Sequence, residues 1–217
     1  MIDVRHPGCQ VHASAIVEDG VELGDGTAVW DNVHIRRGSR IGRNCVVGEK
    51  TYVAYDVVIG DHCKLNASVY VCAGVTIANS VMVAAHVVFT NDRFPRAFDR
   101  VTGSLAQSAP TEDTLLCRVE RGATIGANAT IGPGLVIGAF SMVGMGSVVT
   151  GEVPAHGLVI GNPARLQSYV CACGPRLVKA TEFLAAAEDA SYGCSRCGRL
   201  YTKNSGSFTE SRGPRPA

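Results

Sequence analysis

Large apolar residues recur at every sixth position from Val11 to Phe89: Val11, Val17, Leu23, Val29, Ile35, Ile41, Val47, Val53, Ile59, Leu65, Val71, Ile77, Val83 and Phe89. After a gap the period returns at Val119, Ile125, Ile131, Ile137, Val143 and Val149. A helix of 3.6 residues per turn would scatter such a series around its surface, and an alternating strand serves it only briefly. A short strand that turns every six residues and stacks on its predecessor serves it throughout, so the pattern predicts a parallel β-helix. Four residues after the large apolar residue stands a small or β-branched one, as at Thr27, Ser39, Cys45, Thr51 and Cys63. Turn-forming pairs such as Asp25-Gly26, Arg43-Asn44 and Asp61-His62 fill the remainder. Gly, Asn and Asp tolerate corner backbone that strains other residues. Each hexad therefore contributes one layer of a narrow core and one solvated corner.

The breaks in the pattern divide the chain. Residues 90–118 abandon the repeat, and so long a loop in a compact domain is functional or disordered. The expected organisation is a β-helix domain over 1–166, an appendage over 167–202 and a tail over 203–217. The tail is Ser, Gly, Pro and Arg with little to bury, which predicts disorder. The appendage carries Cys171 and Cys173, then Cys194 and Cys197, each pair followed by glycine. That arrangement suits a tetrahedral structural zinc, because four thiolates leave no open position for a substrate. A short helix is expected from Thr181 to Asp189 between the two halves.

Charge adds little. Lys plus Arg is 20 and Asp plus Glu is 19, which gives no reason to expect nucleic acid or a membrane surface as partner. No stretch reads as a secretory leader, and no apolar run approaches the length of a membrane span. Nine cysteines in that setting predict reduced thiols and a cytoplasmic protein. Cys45 and Cys63 take the small inward position of their hexads, Cys72 is beside a corner, and Cys9 and Cys117 fall in irregular segments; packing roles are expected for all five.

The repeat resembles that of the bacterial hexapeptide-repeat acyltransferases from about residue 11 to 168. The resemblance implies an all-β fold, a left-handed parallel β-helix with three hexads per coil. Roughly seven coils at about 4.8 Å each make a prism about 30 Å tall. It further implies a homotrimer, with coenzyme A in a trench between neighbouring prisms. Four stretches are similar to N-acetyltransferases of nucleotide-linked 3-amino sugars: Val11 to Val17, Val29-Trp30 with Val33-His34-Ile35, Val88 to Arg96, and Val153-Pro154 with Gly161 to Arg165. Phe89-Thr90-Asn91-Asp92 is the most specific of them.

The resemblance implies acetyl transfer from acetyl-CoA to the amine of a nucleotide-linked amino sugar by direct attack. It places the acceptor amine near Asn91 and Asp92, Asp92 taking a hydrogen or proton from it and Asn91 orienting the sugar or the thioester oxygen. His86, on the corner before the loop, is a further catalytic candidate, and Asn66 a substrate contact. Arg93 and Arg96 suit a diphosphate, since guanidinium forks match phosphate oxygens. Arg165, Ser141 and Gly144 are placed for coenzyme A. No His lies between His86 and His156, which fits an amine acceptor better than a hydroxyl, because a neutral amine is already nucleophilic. Ala67-Ser68 and Ala73 stand where relatives often carry an Asn pair and an acid, so the acceptor pocket is altered. An O-acyltransferase and a non-catalytic scaffold subunit remain alternatives. A metal-dependent anhydrase on the same fold needs a close His pair that the sequence lacks.

Overall fold

The computed structural model describes residues 6–99, 101–106, 110–111 and 114–213. Three stacks of short strands wind into a triangular prism. The first face holds eight parallel strands, from Gln10–Val11 through Ala28–Val29 to Met142–Val143 and Gly157–Gly161. The second holds seven, from Ile16–Val17 through His34–Ile35, Tyr52–Val53, Tyr70–Val71 and Val88–Phe89 to Val148–Val149. The third holds six, from Glu22–Leu23 to Val136–Ile137. Paired residues lie three hexads apart in sequence, as in Gln10 opposite Ala28 and Tyr70 opposite Tyr52, so three hexads close one coil. This is the architecture expected of a left-handed β-helix of hexapeptide repeats.

Within each two-residue strand the first side chain points out and the second points in. The inward residues Ile35, Val53, Val71, Phe89 and Ile131 are fully buried and stack in one column. Burying each such side chain contributes about 1.5–3 kcal/mol, so the coils hold one another through a continuous core. The small inward positions form a second column. Thr27 Oγ1 donates to the Gly42 carbonyl at 2.7 Å, Cys45 Sγ to Gly60 at 3.1 Å and Cys63 Sγ to Ala78 at 3.0 Å. Corners take positive φ at regular spacing, among them Asn32 (54°), Asp56 (56°), His62 (58°) and His86 (60°). Asn, Asp and His are enriched in this left-handed region, which accounts for His62 and His86 as corner residues. Cys117, expected in an irregular segment, instead opens the strand Cys117–Val119 and is buried.

From the inward residue of the second face to that of the third, the preceding coil takes one hexad, Val71 to Ile77. Here the same step runs from Phe89 to Val119, the length of five hexads. The excursion thus inserts four hexads' worth of chain at one corner. Its ends are tied together: Leu115 N–H donates to the Asn91 carbonyl at 2.9 Å. Between them, the antiparallel bridge between Phe98 and Leu105 makes a small hairpin.

The expected boundary between 166 and 167 falls inside one strand. Ala164–Val170 pairs antiparallel with Gly157–Gly161 and then with Arg176–Lys179, so the first face runs on into the appendage. Leu166 packs against both the prism core and the appendage core, which explains why no linker separates them. The helix is Ala180–Ala185, shorter than the expected Thr181 to Asp189. The tail also departs from expectation. Residues 207–212 form the last strand of a three-stranded sheet with Ser191–Gly193 and Leu200–Asn204. Phe208 is the reason: it is buried and stacks on Tyr169 and Tyr201 with ring centres 4.9 Å away in both cases. Residues 214–217 of the expected tail lie outside the described residues.

Candidate active site

A cleft of about 1060 Å³ runs along the corner between the second and third faces. Its floor is built by residues at one register position in five successive coils: Asp19, Arg37, Tyr55, Ala73 and Asn91. The excursion leaves the prism at this same corner, and its Pro95, Pro110 and Thr114 wall the cleft.

At the excursion end stand Asn91 and Asp92. The Asn91 amide donates to the Ala73 carbonyl of the coil below at 3.0 Å, so part of its side chain is held by the fold. Asp92 is exposed, and its Oδ1 accepts the Phe94 N–H at 2.7 Å, which turns the chain into the excursion. Ala73 keeps its side chain short at this point of the floor.

At the other end Glu18 organises the charges. Its Oε1 meets Arg36 Nε at 2.7 Å and His34 Nε2 at 3.1 Å, and its Oε2 accepts the Arg37 N–H at 2.9 Å. The Arg37 N–H first, then His34 and Arg36, hold the Glu18 carboxyl below its ordinary value. Arg36 also donates to Tyr52 Oη at 3.1 Å and lies 4.2 Å from the centre of the Tyr55 ring. Tyr52 stacks on Tyr70 at 5.3 Å and meets His34 edge-on at 5.6 Å. Cys72 lines the cleft but is buried, and burial pushes its thiol up to about 12. It is therefore a protonated thiol at neutral pH, poorly suited to act as a nucleophile.

The other expected residues are dispersed. Asn66 lines a separate shallow groove of about 310 Å³ with Trp30, Glu49 and Ala67, on the corner between the first and second faces. His86 is exposed on that same edge, its N–H donating to the Ala67 carbonyl at 3.0 Å. Gly144 lies higher on this edge, and a Cβ there would stand 2.9 Å from Ile160 Cγ1, so close stacking of the next strand already requires the glycine. Ser141 corrects the expectation of a cofactor contact. It occupies the small inward position and is fully buried, so its hydroxyl is closed off from any ligand outside the prism. Arg93 and Arg96 are exposed on the excursion and line no part of the cleft, and Arg96 turns back onto the Pro95 carbonyl at 2.8 Å. Arg165 is exposed on the strand that begins the appendage, with Nη1 on the Ala164 carbonyl at 3.0 Å. The sequence reading missed Glu18, Arg36, Arg37, Tyr52 and Tyr55. Aligning the hexads in threes, so that Asn91 falls over Ala73, Tyr55, Arg37 and Asp19, would have found Arg37 and Tyr55.

The four appendage cysteines converge. Their sulfurs lie within 4.8 Å of one another, with Cys171–Cys173 at 3.4 Å, Cys171–Cys197 at 3.5 Å and Cys173–Cys194 at 3.6 Å. Tetrahedral zinc with bonds of about 2.3 Å sets sulfurs about 3.8 Å apart, so the donor set fits that ion. All nine cysteines are free. The Arg199 N–H, with the Arg199 guanidinium 3.5 Å away, holds the Cys197 thiol down to about 6. Beneath the cluster, His156 stacks on Phe140 of the prism at 5.4 Å and meets Tyr201 at 5.0 Å, and the Tyr201 hydroxyl lies 3.2 Å from Cys171 Sγ.

The repeats match two family models. The bacterial transferase hexapeptide (six repeats) model matches residues 20–55, and the hexapeptide repeat of succinyl-transferase matches residues 38–78 and 117–151. The chain carries the transferase hexapeptide repeat. A stretch of 59 residues is 48% identical to the dTDP-3-amino-3,6-dideoxy-alpha-D-galactopyranose 3-N-acetyltransferase of Aneurinibacillus thermoaerophilus, covering 27% of this chain and 31% of that enzyme. Among solved structures, a mutant of an N-acyltransferase from Bacillus cereus, in complex with dTDP and coenzyme A, superposes with a TM-score of 0.50 at 16% identity over 76% of this chain and 83% of that one, a likeness of fold. A mutant of the perosamine N-acetyltransferase of Caulobacter crescentus, in complex with CoA and GDP-perosamine, is 28% identical with a TM-score of 0.42, over 74% of this chain and 56% of that one. The chain thus spans about a third of the curated relative and just over half of the perosamine enzyme.

Proposed function

We propose that the protein is an N-acetyltransferase that moves an acetyl group from acetyl-CoA to the amine of a nucleotide-linked amino sugar. The identity of 48% over 59 residues to a dTDP-3-amino-sugar 3-N-acetyltransferase supports this reading, and the cleft beneath the excursion is where the acceptor would lie. The neutral amine attacks the thioester carbonyl directly, the C–S bond breaks, and the thiolate of coenzyme A leaves. The proton lost by nitrogen passes to Asp92 or to water, while Asn91 keeps the excursion mouth in position over Ala73. An acyl-enzyme is not part of this scheme, since the cleft thiol, Cys72, is buried and protonated.

The candidate residues occupy two edges of one prism, which favours a trench completed by a neighbouring copy. The second face and its edges expose Ile16, Trp30, Tyr70 and Val88, apolar surface that association would cover. A cytoplasmic homotrimer is the assembly proposed. Cys171, Cys173, Cys194 and Cys197 would hold one structural zinc, which crosslinks the appendage and takes no part in transfer. Incubation with acetyl-CoA and a dTDP-linked 3-amino sugar tests the reading: an N-acetyl product is expected, and acetylation of a sugar hydroxyl alone would replace it with an O-acyltransferase.

A further inference from the structure

We propose that Arg37 and Tyr55 form the nucleoside-diphosphate end of the cleft, Arg37 binding the diphosphate and Tyr55 offering its ring to the nucleoside. The inference rests on the acetyltransferase reading in that the acceptor carries a nucleotide. Its grounds are geometric. Arg36 and Arg37 are adjacent but differ in what they meet. Arg36 is engaged by Glu18, Tyr52 and the Tyr55 ring, so its charge is already compensated. Arg37 is exposed, forms no ion pair among the described residues, and its guanidinium stands 5.7 Å from the Tyr55 ring. A free guanidinium beside an aromatic ring in a cleft suits a phosphate joined to a flat base, through paired N–H donors and stacking. Asp19 and Asp56 on the same rim are exposed, and either suits the 3′-hydroxyl of a deoxyribose, which donates to a carboxylate.

The spacing agrees. Arg37 and Asn91 stand three coils apart at the same corner. Each coil adds about 4.8 Å along the prism. One arginine side chain, a diphosphate and a sugar ring bridge three such steps, which leaves the amine at Asn91 and Asp92. The floor between them is Tyr55 and Ala73, small enough at Ala73 for a sugar ring to lie against the coil. Arg93 and Arg96, the arginines that the sequence suggested for the diphosphate, line no part of this path.

The test is equilibrium binding of dTDP to the full chain, which needs no turnover. Arg37→Met should weaken dTDP binding roughly 10- to 100-fold, the range for losing a charged hydrogen-bond partner, and Arg37→Lys should restore part of it. Tyr55→Leu should weaken it less. Arg40→Met, an equal charge change on the third face, should leave it unchanged. With the amino-sugar substrate, Arg37→Met should raise KM far more than it lowers kcat. Unaltered dTDP affinity in Arg37→Met overturns the inference, as does a loss confined to an Arg93→Met, Arg96→Met double variant, or a wild type that takes no dTDP at millimolar concentration. A wild type that binds dTDP through Arg37 yet acetylates no amine would keep this site and sink the acetyltransferase reading instead.

Discussion

Asp92 Oδ1 is committed to the Phe94 N–H at 2.7 Å, and its second carboxylate oxygen has no protein partner among the described residues. One side chain thus both shapes the excursion and leaves an acceptor at the cleft. Asp92→Asn separates the two roles, since asparagine keeps an oxygen for the turn but has no carboxylate to take a proton. Turnover should fall by about 100-fold or less at neutral pH, and by less at alkaline pH, where the free amine forms unaided. An equal loss at all pH values would point to positioning, and an unchanged rate would remove Asp92 from the mechanism. Asn91 and Asp92 were singled out through the resemblance of Phe89-Thr90-Asn91-Asp92, and both line the cleft. Arg37 and Tyr55 were not legible in the sequence, because their relation to Asn91 appears only when three hexads close into a coil. Ser141 fails for a related reason: a small residue suits both the inside of a narrow prism and a ligand outside it, and only the inward direction of the side chain decides.

The appendage shows what composition conceals at the scale of an element. Its last strand looked like a solvated tail, yet one aromatic residue, Phe208, joins the core of Tyr169, Phe183 and Tyr201. Lys203 is also buried. Its Nζ donates to the Leu184 carbonyl at 3.2 Å and to the Ala186 carbonyl at 2.7 Å. A cation there satisfies carbonyls at the end of the short helix that have no intrahelical partner. Four convergent thiols add what so small a core lacks. Metal analysis should return one zinc per chain. Chelation should melt the appendage and leave the coils standing, because each coil depends mainly on its neighbours; protein purified without chelator that holds no zinc would contradict this. His156 is expected to make the docking of this element pH-sensitive. Burial lowers its pKa, against the smaller opposing pull of the Val170 carbonyl and Glu210. The folded state therefore binds fewer protons than the unfolded chain in mild acid. The stability it contributes is full above about pH 6.5, the ordinary imidazole value, and declines as pH falls through that value toward the lower folded one. Tyrosine near-ultraviolet dichroism should show the appendage melting earlier at pH 5.5 than at pH 7.5, with His156→Phe narrowing the difference. The same gap in both proteins would rule His156 out as its cause.

For the whole molecule, the six-residue period predicted a stacked β-helix with a narrow core, since neither a helix nor one long strand serves it over so many repeats. Three hexads per coil came from the resemblance, and the pairing of residues 18 apart agrees with it. The assembly is less legible, because a flat face with a few exposed apolar residues suits either solvent or a neighbour. Light scattering should return a mass near three times 22.7 kDa, and a monomer at working concentration would count heavily against a trench shared between prisms. The most direct measurement is of the transferred group itself. Purified protein is supplied with acetyl-CoA and dTDP-linked sugars bearing either an amine or a hydroxyl at the same carbon, and the products are resolved by mass and by stability to mild base. The account predicts a single acetyl group on the amino sugar, held as a base-stable amide, with one coenzyme A released per product. A base-labile ester on the hydroxyl sugar with the amine untouched, or no transfer to either, would contradict it.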